Sequence, residues 1–258
     1  MKLIHKTLRR SLFMLIPLLL VSCGGTVVTE EETAKPKPGY PSLGVGRPVQ
    51  EVIPEDTGIT ICIDPGHGFD DVGCSSEYLT GEKEEKDMTL LYAKALKAEL
   101  ETMGYTVILT HDGESFPQEF NFNDNNLFSP DERSAYVNSL DVDYLVSFHC
   151  DTFDEDSSVG GSRVYYYDTP EKTVTYSDAV ANSISAYLAK EFPDAKVPSV
   201  HNNQSYAILR KTTTASALVE IGFISNRTDA LNIQNPEWQE KFIAGVAAGI
   251  NGYFSLYQ

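Results

Sequence analysis

From about residue 59 onward, apolar and polar positions divide the chain into alternating strand-like and helix-like segments. "ITICI" (59–63) is a short apolar run that stops at Asp64-Pro65-Gly66-His67-Gly68, where Pro and Gly mark a turn. Met88, Leu91, Tyr92, Ala95, Leu96, Leu100 and Met103 then recur at helical spacing, with Asp87 as the expected N-cap and Gly104 as the stop. "YTVILT" (105–110) predicts a second strand. Residues 111–129 have no repeat pattern but contain Phe116, Phe120, Phe122 and Phe128, which are expected to cover the sheet more than to line a groove. Ser129-Pro130-Asp131-Glu132 predicts a helix start with Pro at N1 and a capping-box Glu at N3. Further strands are expected at 143–149, 163–167, 206–210 and 217–222, with a helix over 175–191 and a last one from Asn235-Pro236. No internal repeat is visible. The alternation predicts an α/β fold: a mostly parallel twisted sheet of about six strands with helices on both faces.

The N-terminal pattern differs. Lys2, Lys6, Arg9 and Arg10 precede the apolar run "SLFMLIPLLLVS" (11–22), too short to span a bilayer comfortably, so residues 1–22 read as an export signal. The run ends in Leu20-Val21-Ser22-Cys23, which resembles the lipobox of bacterial lipoproteins. That resemblance implies cleavage before Cys23, a diacylglycerol on its thiol, and a chain lipid-anchored on the extracytoplasmic face of a bacterial membrane. Residues 23–57 are rich in Pro, Gly, Thr and Glu and read as a tether spanning roughly 30 Å as a flexible coil. Residues 58–258 form the folded domain, with 41% apolar residues in the whole chain to build its core. Removing the signal and its four basic residues takes the net charge from −17 to −21, which excludes nucleic acid as a partner. Of the cysteines beyond Cys23, Cys62 lies in an apolar strand and is expected to be a buried thiol; Cys74 and Cys150 complete an odd count.

Ligands of open α/β sheets gather at the carboxyl ends of strands. His67 directly follows the first strand, His149 closes "DYLVSFH", and Glu220 sits inside the apolar run "ALVEIGF". A buried unpaired carboxylate costs several kcal/mol, so Glu220 calls for a cation nearby. A divalent metal accounts for all three, because two imidazoles and one carboxylate form a common catalytic Zn²⁺ set with one position left for water. The carboxylate ligand should lie close to His67, where "GEKEEKDMTL" offers Glu82, Glu84 and Glu85; Glu85 is favoured because it immediately precedes the well-fixed helix start. Asp64 is either an orienting partner of a ligand histidine or a turn-former before Pro65.

"IDPGHG" (63–68), "EKDMTL" (85–90), "VSFHCD" (146–151) and "LVEIGFISN" (218–226) occur in this order, with "DERSAYVN" (131–138) between the second and third. On these motifs, the chain from about Ile59 to Tyr253 resembles the zinc-dependent N-acetylmuramoyl-L-alanine amidases of the amidase type 3 family. The resemblance implies Zn²⁺ held by His67, Glu85 and His149, and Glu220 as catalytic acid and base. It also implies peptidoglycan as substrate, cut between N-acetylmuramic acid and the L-alanine of the stem peptide. Cys150-Asp151 departs from the Ala-Asn pair usual after the second histidine, and 111–129 is longer than the family norm. The segment 150–162 is too short for an inhibitory helix, so an accessible site is expected. The zinc ligands would bring Cys74 and Cys150 into one neighbourhood, and a bridge between them is expected. A zinc peptidase cutting within the stem peptide and a non-catalytic wall-binding lipoprotein are the competing readings.

Overall fold

The computed structural model describes residues 55–81, 83–169 and 176–256. The expected signal, Cys23, the tether through residue 54, and Glu82 lie outside the described residues, as do residues 170–175. No helix among the described residues is long and apolar enough to cross a membrane.

Six strands, β1 (Thr60–Pro65), β2 (Thr106–Leu109), β3 (Tyr144–Asp151), β4 (Arg163–Tyr166), β5 (Ser199–Asn202) and β6 (Ala215–Phe223), form one sheet in the order β2-β1-β3-β6-β4-β5. All neighbours pair in parallel except β4 with β6. The helices are α1 (Glu85–Thr102), α2 (Pro130–Ser139), α3 (Ser177–Glu191), α4 (Ala207–Lys211), α5 (Arg227–Ile233) and α6 (Pro236–Phe254). β6 is buried at every position, as a strand covered on both faces must be, and so it reads as a continuous apolar run.

Strand alternation sends neighbouring residues to opposite faces. Ile61, Ile63, Val146, Phe148, Val219 and Ile221 pack with α1, α3 and α6 in the larger core. Cys62, Leu145, Tyr165 and Leu218 pack on the other face with Val137 of α2 and with Ile208 and Leu209 of α4. Asp64, Ser147, His149, Glu220 and Arg163 are polar residues that share this second face.

Two expectations for the elements need correction, and one helix was not expected. Residues 206–210 form the short helix α4 and not a strand; the sixth strand is instead the polar edge strand β5. Four to five residues of mixed polarity give no usable period, so neither could be typed from its pattern. Helix α5 lacked any expectation, although Asn226 caps it by accepting from Thr228 N and Asp229 N. The N-cap of α1 is Glu84, and Asp87 sits at N3, accepting from Glu84 N at 2.9 Å. Glu85 is therefore the first residue inside the helix.

The α2 start is as expected: Glu132 Oε2 accepts from Ser129 N at 2.7 Å, and Ser129 Oγ accepts from Glu132 N. In 111–129, Phe116 and Phe128 are buried and stacked at 4.8 Å, and Phe116 packs on Phe69 beside the His67 turn. These two rings cover, while Phe122 is exposed. Residues 152–162 contain turns and no helix, so the expected lack of an inhibitory helix in that segment holds.

Candidate metal centre

The turn after β1 presents the first histidine. His67 itself adopts φ +65°, so its side chain leaves the turn towards α1. Gly66 has no alternative in such a place: a Cβ there would meet the His149 ring at 2.4 Å and Phe148 O at 2.5 Å. The start of α1 holds this turn. Thr89 Oγ1 donates to Gly66 O at 2.6 Å, and Lys86 Nζ donates to Phe69 O at 2.8 Å. One turn before Thr89 on the same helix face, Glu85 points at the two histidines.

His67 Nε2 and His149 Nδ1 lie 3.2 and 3.1 Å from Glu85 Oε1, and the three side chains can each offer one ligand atom within a 4.8 Å cluster. Two ligands about 2.0–2.1 Å from one tetrahedral ion are roughly 3.3 Å apart, so the donor spacing and chemistry both fit a bound divalent metal. The backbone orients the carboxylate: Cys150 N donates to Oε1 at 2.9 Å and Cys74 N to Oε2 at 2.8 Å. Burial pushes the Glu85 carboxyl up, but hydrogen bonds and charge from His149 and His67 outweigh it and hold the group far below the usual carboxylate range. Burial likewise pushes His67 down, and Glu85 and Asp71 more than reverse it. Of the other two acids offered by the sequence, Glu84 is half exposed beside Lys86 at 3.2 Å. Glu82 lies outside the described residues.

Glu220 stands next to His149 in the β3–β6 register. It is 4% exposed; among the described residues its Oε2 has no hydrogen-bond partner, and its Oε1 accepts only a long bond of 3.4 Å from Tyr206 Oη. Burial, with the charges of Asp151 and Glu85, pushes its carboxyl well above the ordinary value. A carboxyl so placed can exchange a proton with a molecule entering the site.

Two expectations fail on geometry. Asp64 does not orient a ligand histidine; it is fully buried and bonded to Arg133 Nη1 at 2.8 Å, Thr110 Oγ1 at 2.7 Å and Ser147 Oγ at 2.7 Å. The orienting role falls to Asp71, whose Oδ2 is 2.9 Å from His67 Nδ1. Its only signal was the spacing of four residues after His67. Cys74 and Cys150 are not bridged; both are free thiols, as is Cys62. Cys150 turns into the larger core while Cys74 Sγ sits 3.8 Å from Thr152 Oγ1. Burial and the charge of Glu85 raise both thiols, which disfavours the thiolate that bridge formation requires.

Two imidazoles and a glutamate at one sheet end, with an unpaired carboxyl one strand away, form a site able to hold a metal ion in an α/β fold. Residues 61–252 match the family model described as N-acetylmuramoyl-L-alanine amidase, and the chain belongs to this family. A Staphylococcus saprophyticus protein named probable cell wall amidase LytH is 32% identical over 196 residues, which cover 76% of this chain and 58% of that one. The chain thus spans less than two thirds of this curated relative. An N-acetylmuramoyl-L-alanine amidase of Clostridium difficile superposes with a TM-score of 0.66 at 23% identity, covering 76% of this chain and 97% of the other. One from Nostoc punctiforme gives 0.63 at 27% identity, covering 78% and 99%. The α/β fold with a mostly parallel, six-stranded sheet that the sequence predicts agrees with these structures.

Proposed function

We propose that this chain is a zinc-dependent peptidoglycan hydrolase that cleaves the amide between the lactyl group of N-acetylmuramic acid and the L-alanine of the stem peptide. The observation that carries the reading is the convergence of His67 Nε2 and His149 Nδ1 on Glu85, with the partnerless Glu220 Oε2 on the neighbouring strand. His67, Glu85 and His149 would hold the zinc, which when bound supplies a Lewis acid for the scissile carbonyl and brings the pKa of water towards neutrality. Glu220 takes the proton of the attacking water and returns it to the departing alanine amine. Asp71 fixes the His67 ring through Nδ1, and the Cys74 and Cys150 amides fix Glu85. Tyr206 steadies the Glu220 carboxyl from the mouth of the site.

Export and anchoring through Cys23 belong to the same proposal, since the substrate lies outside the cytoplasmic membrane. Mass spectrometry of purified wall digested by the zinc-loaded protein tests the activity. Free stem peptides beginning with L-alanine, together with unsubstituted lactyl-muramic glycan, are expected. Cleavage inside the stem peptide would make the protein a peptidase, and an intact wall would leave it a binding lipoprotein.

A further inference from the structure

The polar face does not end at Glu220. In register, His149 of β3 pairs with Glu220 of β6, Glu220 with Arg163 of β4, and Arg163 with Ser199 of β5. Because β4 runs against β6, its first residue reaches the same end of the sheet as the last turns of β3 and β6. A shallow groove of about 620 Å³ opens there, lined by Arg163, Lys196, Ser199, His201 and Asn202 among others, with no carboxylate in its lining among the described residues. Ring contacts make a continuous wall from the site into it: Tyr206, which touches Glu220, packs on Tyr165 at 5.1 Å, and Tyr165 packs on His201 at 5.6 Å.

We propose that this groove is a carboxylate-binding subsite for the peptide on the leaving side of the scissile amide, with Arg163 as its central residue. The inference rests on the amidase reading and specifies which end of the substrate lies along β4 and β5. Charge assigns the end. The muramyl glycan offers hydroxyl and acetamido groups, whereas the stem peptide carries free carboxylates, and the groove offers a guanidinium, an ammonium and neutral donors. Distance agrees: neighbouring strands are about 4.8 Å apart, and an extended peptide advances about 3.3–3.6 Å per residue. A carboxylate on the second residue of the leaving peptide therefore comes level with Arg163 when the scissile amide is at Glu220. On a chain of net charge −17, long-range attraction cannot recruit an acidic peptide, so its recognition must be made by short-range contacts such as these.

Arg163 is held ready for this. Among the described residues, its side chain donates from Nη1 to Asp151 Oδ2 at 3.2 Å and to Tyr165 Oη at 3.4 Å, its guanidinium lies 4.4 Å over the Phe223 ring, and about a third of the side chain is exposed. Asp151, the departure noted after the second histidine, thus fixes the cation from the metal side while the groove side stays open. A planar fork held in this way suits a carboxylate.

The test uses two synthetic muramyl peptides that differ only at the second residue, D-glutamate with a free α-carboxyl or D-isoglutamine with an amide there. The full zinc-loaded chain is expected to favour the carboxylate form by at least about tenfold in kcat/KM, carried by KM, with the preference shrinking at high salt. Arg163→Gln should bring the ratio to within about twofold of one, and Arg163→Lys should restore part of it. Since Arg163→Gln also frees Asp151, Lys196→Met provides an independent arm and should lower the ratio about threefold. Comparing two substrates in one protein cancels any partial loss of folded enzyme. A wild-type ratio within twofold of one, or a full preference in Arg163→Gln, would overturn the subsite while leaving the amidase reading intact. Hydrolysis of neither substrate would instead overturn the amidase reading, and the subsite with it.

Discussion

Glu220→Gln keeps the shape of the side chain and removes its ability to accept a proton, so it separates chemistry from metal binding. The carboxyl is almost fully buried, with one oxygen unpartnered and the other only 3.4 Å from a hydroxyl. Nothing in that environment needs the charge for folding. Loss of general acid–base help costs about 10²–10⁴ in rate, or about 2.7–5.4 kcal/mol at 1.36 kcal/mol per decade. The same burial makes a second expectation, with a definite sign. The folded carboxyl titrates above its unfolded value of about 4.3. As pH rises past that value the unfolded chain ionises while the fold still holds its proton, so metal-free wild type loses stability up to the folded pKa. Gln has no such loss. The assay therefore pairs initial rates on a defined muramyl peptide at pH 7 and metal content per chain with thermal melts of chelator-treated protein at pH 4 and pH 7. The variant should keep about one zinc per chain, lose at least about 100-fold in hydrolysis, and melt above metal-free wild type at pH 7 but not at pH 4. A rate within threefold of wild type would refute the base assignment; loss of the zinc would make Glu220 a ligand.

Three further outcomes follow from other contacts. Asp71→Ala removes the brace on His67 Nδ1 and should weaken zinc binding about 10–100-fold in a competition titration with a chromogenic chelator, and unchanged affinity would return Asp71 to an ordinary turn residue. Arg133→Ala leaves the Asp64 charge buried and should cost about 3–5 kcal/mol in urea melts at pH 7. Burial pushes Asp64 up, but Arg133, Ser147 and Thr110 hold it below its ordinary value, so this contribution is present above about pH 3.9 and is lost as pH falls through the lower folded pKa. A difference under about 1 kcal/mol at pH 7 would contradict the pair's role. Cys23→Ser should abolish metabolic labelling by a fatty-acid analogue, and equal label on the variant would make the lipobox accidental.

What the sequence made legible in the fold follows element length. α1 and α6 run for 18 and 19 residues, long enough for a 3.6-residue period to declare itself, and β6 is a nine-residue apolar run. The strand errors lie between Tyr165 and Ala215. "SVHN" pairs through its backbone with β4 at the open edge of the sheet, so its side chains carry no burial signal. "AILRK" buries two adjacent residues, Ile208 and Leu209, which a strand pattern and a single helical turn share equally. The reversal of β4 was also hidden, because direction is set by how a connection crosses the sheet and not by the strand's own residues. That reversal is what carries Arg163 to the metal end.

In the site, the histidines, Asp64 and Glu220 stood out because each interrupts an apolar run or a turn at a strand end, while Glu85 stood out as one of three acids before a helix, and neither signal separates the roles of the three carboxylates. What tells them apart is the group that compensates each charge, and that group is remote in sequence. Asp64 meets Arg133, 69 residues away, and is bound so tightly that it has no proton to exchange. Glu85 meets His149, 64 residues away, along with two backbone amides, which leaves it a fixed anion suited to a metal. Glu220 meets only one long hydroxyl contact across the site mouth. A carboxylate that the fold buries and does not satisfy is costly unless a cation arrives beside it. The bound metal would relieve that cost, and of these three carboxylates Glu220 alone would then be left free to move a proton.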